Sequence, residues 1–473
     1  MKMSWKKILN AERPRKSTSK SDHRTQFERD YDRAIFSTPV KRLQAKAQVF
    51  PLERHDAVRT RLTHSLEVSS IARGLAIAIS KWLVEERKEI DISKAREIET
   101  IASTCGLLHD LGNPPFGHAG ELAIREWFEK QNKDDDDPLR QLKNNQQLVN
   151  DFLKFDGNAQ TLRLVAKLQI LADHNGLNLT YGTLSALCKY TASSNETDKD
   201  NNNHAKSKPG YFASENELIK LIRDKTGTGD FRNPITYLVE AADDIVYSIA
   251  DVEDAIKKSI FTWEWFEEKM KEFDMEMTSS SSAPDITLIK RALNSKDSIL
   301  KAGESELPKH LPGDVHASAY RTAVIGILVP AAFDTFKQQY DKIMSGQYKG
   351  ELVSNGSATP LIKMLKEIGL QYVYSTESTL KLELMGRKII MDLLDLFNEG
   401  VKELSSDKKI VAKGFQGKIG ALLSENYRRV FYNSVEKMPE IPECYHRYRL
   451  LTDYICGMTD SFAQRLHADL TNA

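Results

Sequence analysis

Apolar positions recur along this chain at the spacing of a helix and almost never with the alternation of a strand. In RTRLTHSLEVSSIARGLAIAI, which begins at Arg59, His64, Val68, Ile71 and Leu75 fall at i, i+4, i+7 and i+11 and share one face. In EIETIASTCGLLHD, Ile98, Ile101, Ala102, Cys105 and Leu108 form a second inward stripe, and His109 follows Cys105 at i+4. In NPITYLVEAADDIVYSIADVEDAI, Pro234 suits a helix start, and Leu238, Ala241, Ala242, Ile245, Ile249, Val252 and Ile256 supply the stripe. No series of strands emerges, so the pattern predicts an all-α, mostly α-helical fold. Polar stretches at 132–138, 191–210 and 278–284, and the turn SNGSATP ending at Pro360, read as loops. The second is long enough to expect mobility. None resembles an interdomain linker and no repeat is visible, so one elaborated helical domain over 1–473 is expected.

Composition narrows this picture without redirecting it. The chain has 473 residues, enough for a large core or two lobes. Lys+Arg and Asp+Glu are both 67, so global charge gives no sign of an obligate nucleic-acid or membrane partner, although MKMSWKKILNAERPRK is locally basic. Of 4 Cys, none forms a C-x-x-C pair, which points to reduced structural cysteines in a cytosolic protein. The N-terminus has no apolar signal region. The apolar segment from Thr322 reads as a buried helix too short to span a bilayer. A cytoplasmic protein without a membrane partner is expected.

Candidate chemistry sits on the stripes. His64 alone, on an apolar face, reads as a hydrogen-bonded core residue. His109 leans inward, and Asp110 lies about 100° further round, where a carboxylate is costly unless paired or bound to a cation. Gly112, Pro114 and Pro115 end that helix, and His118 and Glu121 open the next, where free N–H groups suit an anion. Asp243, Tyr247 and Asp251 follow at i, i+4 and i+8 as a polar line. Such a line is commonly a solvated face, but few basic residues accompany it. Taken together, His64, His109, Asp110 and one Asp of the third helix offer two imidazoles and two carboxylates. That set suits Mn²⁺, Fe²⁺, Co²⁺, Ni²⁺ or Zn²⁺ and tolerates Mg²⁺.

The order H…HD…D on three helices resembles the HD metal-dependent phosphohydrolase superfamily. DHRTQFERDYDRAIFSTPVKRLQAKAQVFPLE, RTRLTHSLEV, HDLGNPPFGHAGE, GLNLTYGTLSALCKY, ADDIVYSIADVEDA and DYICGMTDSFAQRL are similar to the deoxyguanosine triphosphate triphosphohydrolase (dGTPase) family. The resemblance runs from about Asp22 to about Leu466. It implies a divalent metal, Mn²⁺ or Mg²⁺ first, on His64, His109, Asp110 and Asp243. It implies His118 and Glu121 as the catalytic pair. It also implies substrate contacts from Gln48, Arg61, Lys189, Lys208, Tyr247 and Asp251, with Asp251 at the 3′-OH and the Tyr247 ring crowding the 2′ position. The implied reaction converts a dNTP, dGTP favoured, to deoxynucleoside and inorganic tripolyphosphate. Homo-oligomers, hexamers in particular, and single-stranded DNA binding come with it as expectations. The implied layout is an HD core over about 59–256 with a helical extension over 257–473. Two other readings compete: another HD nucleotide phosphohydrolase, and a non-catalytic nucleotide or single-stranded nucleic-acid binder. His174 stays open between substrate contact and structure, and YHRYRLLTDY between ordinary packing and contact with nucleotide or a neighbouring subunit.

Overall fold

Helix accounts for 71% of the chain and strand for 2%, as the apolar spacing requires. The structure, a computed structural model, describes residues 2–16, 22–53, 55–133, 138–169, 173–198, 203–279, 287–302, 311–404 and 413–471. The helices that build and flank the site are α1 (Arg61–Trp82), α2 (Ile92–Leu108), α3 (Gly117–Gln131), α4 (Gly157–Arg163), α5 (Asn216–Thr226) and α6 (Pro234–Lys257). After them come α7 (Gly313–Met344), α8 (Thr359–Ile368), α9 (Glu377–Lys402), α10 (Glu425–Lys437), α11 (Glu443–Cys456) and α12 (Asp460–Thr471). Local sequence sets several starts. Thr60 caps α1 by accepting from the Thr63 N–H, with Thr63 reciprocating. Asn233 caps α6, and Pro234 fills its first turn, where a missing N–H costs nothing.

Two large apolar cores form, with a small third of Phe50, Val58, Ala255 and Val373. The first gathers Val68, Leu75 and Ile79 of α1, Ile98, Ile101 and Cys105 of α2, Ile245 and Ile249 of α6, and Tyr320, Leu328 and Phe336 of α7. The second gathers Phe116, Ile124, Trp127 and Phe128 with Phe152, Phe155, Phe397 and Tyr448. Helix α2 serves both: its residues to Cys105 lie in the first core, and Leu107 and Leu108 in the second. Each fully buried Leu, Ile or Val contributes about 1.5–3 kcal/mol, so the point where α2 crosses between cores is held firmly. His109 and Asp110 come immediately after that crossing.

The segment beyond 257 is divided between these cores. Residues of α7 and α8 join the first, and residues of α9, α10, α11 and α12 join the second. The apolar stretch from Thr322 belongs to the 32-residue helix α7, so the expectation that it is too short to cross a bilayer fails on length. Half of its apolar window is buried within the protein, against α6 and its neighbours. The two ends of the polar stretch 191–210 are not loop alone: Ala192–Ser193 (β1) pairs in parallel with Pro209–Tyr211 (β2). Within the other expected loops, residues 134–137 and 280–286 lie outside the described residues, as do 199–202 of this one. The four cysteines are free.

Candidate metal and phosphohydrolase site

The polar residues of three remote segments converge beside the α2 crossing. His64 Nε2 lies 3.2 Å from Asp243 Oδ1, and His109 Nε2 lies 3.5 Å from the same oxygen and 3.7 Å from Asp110 Oδ1. The His64 and His109 rings are 5.4 Å apart. Donors bound about 2.1 Å from one ion stand roughly 3.0–3.4 Å apart, close to this spacing. His109 Nδ1 lies 2.8 Å from the Gly106 carbonyl, which fixes the proton there and leaves Nε2 free to bind a cation. That Nε2 is buried without a hydrogen-bond partner. The donor set therefore fits a divalent metal ion.

Charge tells the same story. Burial would depress the His109 imidazole, but Asp110 and Asp243 outweigh it and push it up to about 9. Burial would raise Asp243, but His109, His64 and Lys189 hold it well below the usual carboxylate range. Asp110 is likewise held low against burial by Arg61 and His109. Around this centre Arg61 pairs with Asp110 and donates to the Ala47 carbonyl at 3.1 Å. Asn113 Nδ2 donates to Asp110 Oδ1 at 2.9 Å, and Lys189 Nζ stands 3.5 Å from Asp243 Oδ2.

Helix α2 ends at Leu108, one residue before the HD pair, so Asp110 sits in the turn and not on the helix. The chain then reaches Phe116 and Gly117 with φ of 63° and 57°. Phe116 is an unusual residue for the left-handed region. Its ring packs where Gly386 of α9 has no side chain; a Cβ there would lie 2.6 Å from Phe116 Cγ. Its N–H donates to Asp460 Oδ1 of α12 at 3.0 Å, and Asp460 Oδ2 accepts from the Ala47 N–H at 2.9 Å. The turn delivers His118 to the first turn of α3, 70% exposed, with Nδ1 3.3 Å from Glu121 Oε2. Glu121 is buried, and its Oε1 accepts from the Gly157 N–H at 2.6 Å. Burial opposes its ionisation, but His118, Lys208, Arg125 and that N–H hold it below the ordinary range. An exposed imidazole oriented by a buried carboxylate has the arrangement that proton transfer requires.

On α6 the expected polar line is not a solvated face. Asp251 is 2% exposed and accepts a hydrogen bond from Tyr374, while its Oδ1 has no partner. Burial, only partly offset by Tyr374, pushes it up to about 7. The Tyr247 and Tyr374 rings lie 6.2 Å apart at 15°, a stacked pair beside that carboxylate. Gln48 follows the Ala47–Thr60 bridge, with Oε1 buried and unpartnered. Lys208 reaches Asp156 Oδ2 at 3.2 Å, on the Glu121 side, and Arg125 stands 3.5 Å from the same oxygen.

Comparison with known proteins follows the same line. The HD domain family matches residues 61–175, and the phosphohydrolase-associated domain family matches 355–469. Over 483 residues, 99% of each chain, this sequence is 37% identical to the deoxyguanosinetriphosphate triphosphohydrolase-like protein of Listeria monocytogenes serovar 1/2a. The corresponding protein of Listeria innocua serovar 6a matches equally. The deoxyguanosinetriphosphate triphosphohydrolase of Yersinia enterocolitica serotype O:8 is 32% identical over 506 residues, 98% of this chain and 97% of that one. The chain belongs to the deoxyguanosinetriphosphate triphosphohydrolase family.

For a member of this triphosphohydrolase family, the HD match holds His64, His109, Asp110, His118 and Glu121 but stops short of Asp243, Tyr247 and Asp251. The associated-domain match brings Tyr374 and Asp460, both of which reach the site and neither of which sequence reasoning found. No local signal marks them, because their partners are 123 and 344 residues away. His174 is not among the residues gathered at the metal cluster and lines a separate cavity. YHRYRLLTDY is packing: Tyr445, His446, Arg449 and Asp453 are buried, with the Arg449 guanidinium 3.8 Å from the Phe212 ring centre. A cavity of about 880 Å³, lined by Phe36, Arg42, Tyr427 and Phe462 among others, holds none of the converging residues, so volume alone does not find the chemistry.

Proposed function

We propose that this chain is a metal-dependent dNTP triphosphohydrolase, cleaving dGTP or other dNTPs to deoxynucleoside and inorganic tripolyphosphate. The observation that carries the reading is the convergence of His64, His109–Asp110 and Asp243 beside the His118–Glu121 pair. The relatives' names point to the same substrate class. A divalent cation on the four ligands would polarise phosphate oxygens and neutralise developing charge. Arg61, Lys189 and Lys208 supply further positive charge for the triphosphate. Water oxygen bonds to the α-phosphorus, the bond from that phosphorus to O5′ breaks, and the proton the water sheds passes through solvent to restore the His118 imidazolium. His118 gives its proton to O5′, a poor leaving group as an alkoxide, and Glu121 keeps the imidazole oriented. Asp251 accepts from the 3′-OH, Gln48 approaches the same hydroxyl, and the Tyr247 ring closes the 2′ side.

The same reading takes Mn²⁺ or Mg²⁺ as the metal, a homo-oligomer such as a hexamer as the working form, and the cytoplasm as the location. Its test is a panel of the four dNTPs with Mn²⁺ and with Mg²⁺, products resolved by chromatography. Tripolyphosphate is expected. Orthophosphate or pyrophosphate would replace this reading with another HD phosphohydrolase activity.

A further inference from the structure

Beside the catalytic turn lies a buried cation that the reading above does not use. Lys46 follows the short helix Leu43–Ala45 and is 4% exposed. Its carbonyl accepts from the Arg61 N–H at 3.0 Å, which fixes its backbone at the start of α1. Its ammonium donates to the Asn113 carbonyl at 2.6 Å and to the Cys456 carbonyl at 2.8 Å. Neither acceptor is charged. Cys456 is the last residue of α11, and a helix C-terminus offers unsatisfied carbonyls and the negative end of the dipole. Arg42 takes the next carbonyl, that of Gly457, at 2.9 Å. Two cations thus sit on one helix end, and of the two Lys46 continues to the turn between α2 and α3.

Holding a charge at this depth is unfavourable. Burial pulls the ammonium down to about 8; Cys456 and Asp460 oppose the fall, and Arg61 and Arg42 add to it. A methionine would fill the same space without that desolvation. It would not hold the Asn113 carbonyl, and Asn113 is the residue whose Nδ2 supports Asp110 Oδ1 at 2.9 Å. Asp460 grips the same turn three residues later, through the Phe116 N–H. A turn held at one point can pivot. Held at a carbonyl and at an N–H, it keeps Asp110 and His118 in fixed relation.

We propose that Lys46 is a positioning residue for the hydrolysis, fastening the turn by the Asn113 carbonyl so that Asn113 keeps Asp110 oriented toward the metal. Asp110 is a metal ligand in the triphosphohydrolase reading, on which this role rests. Lys46→Met is expected to weaken Mn²⁺ binding about tenfold, read by calorimetric titration of the full chain without substrate. At saturating Mn²⁺ it is expected to lower kcat about tenfold with KM for dGTP within about twofold of wild type, because the backbone bonds of Lys46 to Arg61 and of Ala47 to Asp460 still hold the Gln48 segment. Arg42→Met removes a cation from the same helix end without touching the turn, and is expected to keep wild-type kcat and Mn²⁺ affinity. Asn113→Ala tests the route: the double variant with Lys46→Met is expected to lose no more than Asn113→Ala alone, within about twofold. If Lys46→Met does not fold, Lys46→Gln, with a shorter stem, takes its place under the same outcomes. Wild-type Mn²⁺ affinity in the folded Lys46 variant, additive losses in the double variant, or an Arg42→Met enzyme equally impaired overturns the proposal. If the wild type releases no tripolyphosphate, the triphosphohydrolase reading fails, and the Mn²⁺ titration still decides the role of Lys46.

Discussion

Replacing Asp251 with asparagine sets stability against function in a way pH can resolve. The Asp251 carboxyl is pushed by burial from 3.8 up to about 7. Each tenfold in an ionisation constant is worth about 1.4 kcal/mol, so ionising Asp251 in the folded protein costs about 4 kcal/mol. Between pH 4 and 7 the folded state still holds a proton that the unfolded chain has released, so this site lowers stability as pH rises and levels off above 7. Asparagine has the same shape, keeps an acceptor for Tyr374 and has no proton to lose. Asp251→Asn should therefore gain little at pH 4 and roughly 2–4 kcal/mol at pH 8, while losing activity. Urea denaturation followed by fluorescence at both pH values measures the gain. An equal effect at pH 4 and 8, or a less stable variant at pH 8, refutes the reasoning.

Other substitutions probe the rest of the site. His118→Ala should cut single-turnover hydrolysis by about 10²–10⁴ with metal content unchanged, read by rapid quench and elemental analysis. For His109→Ala the expected result is the reverse order of events: metal is lost first, and activity with it, while the circular dichroism spectrum holds. Tyr374→Phe removes a hydrogen bond that lowers Asp251, so its ionisation should move above 7 and carry the acid limb of the kcat/KM–pH profile upward. In Gly157→Ala the new Cβ would lie 3.0 Å from Glu121 Oε1 and closer still to Asn113, which holds Asp110. Activity should fall with KM and kcat both affected, and a wild-type profile would show that the turn gives way without cost.

How much of this was legible depends on the range of the signal. The stripes on α1, α2 and α6 were readable because burial repeats every few residues, and they placed His64, His109 and Asp243 on inward or half-inward faces. Which aspartate completes the set came from family resemblance; the structure separates them, sending Asp243 to the histidines and Asp244 to Lys366 at 2.8 Å. Apolar content misjudged α7, since helix length is set by packing along its whole span and not by its most apolar stretch. Polarity misjudged 191–210, where Lys154 donates to the Ser194 carbonyl at 3.1 Å and Arg223 caps the Thr191 carbonyl. Tyr374, Asn113 and Asp460 act through single hydrogen bonds, which leave no periodic trace.

Asp460 binds Ala47 on one side of the site and Phe116 on the other, and lies within the last helix of the described chain. A ribosome makes residues 47 to 121 long before it makes Asp460. His64, His109, Asp110, His118 and Glu121 are thus synthesised well before the carboxylate that fastens the two loops flanking them. Until Asp460 has been added, a nascent chain carries both loops without the carboxylate that joins them, so this contact closes only after both have been made.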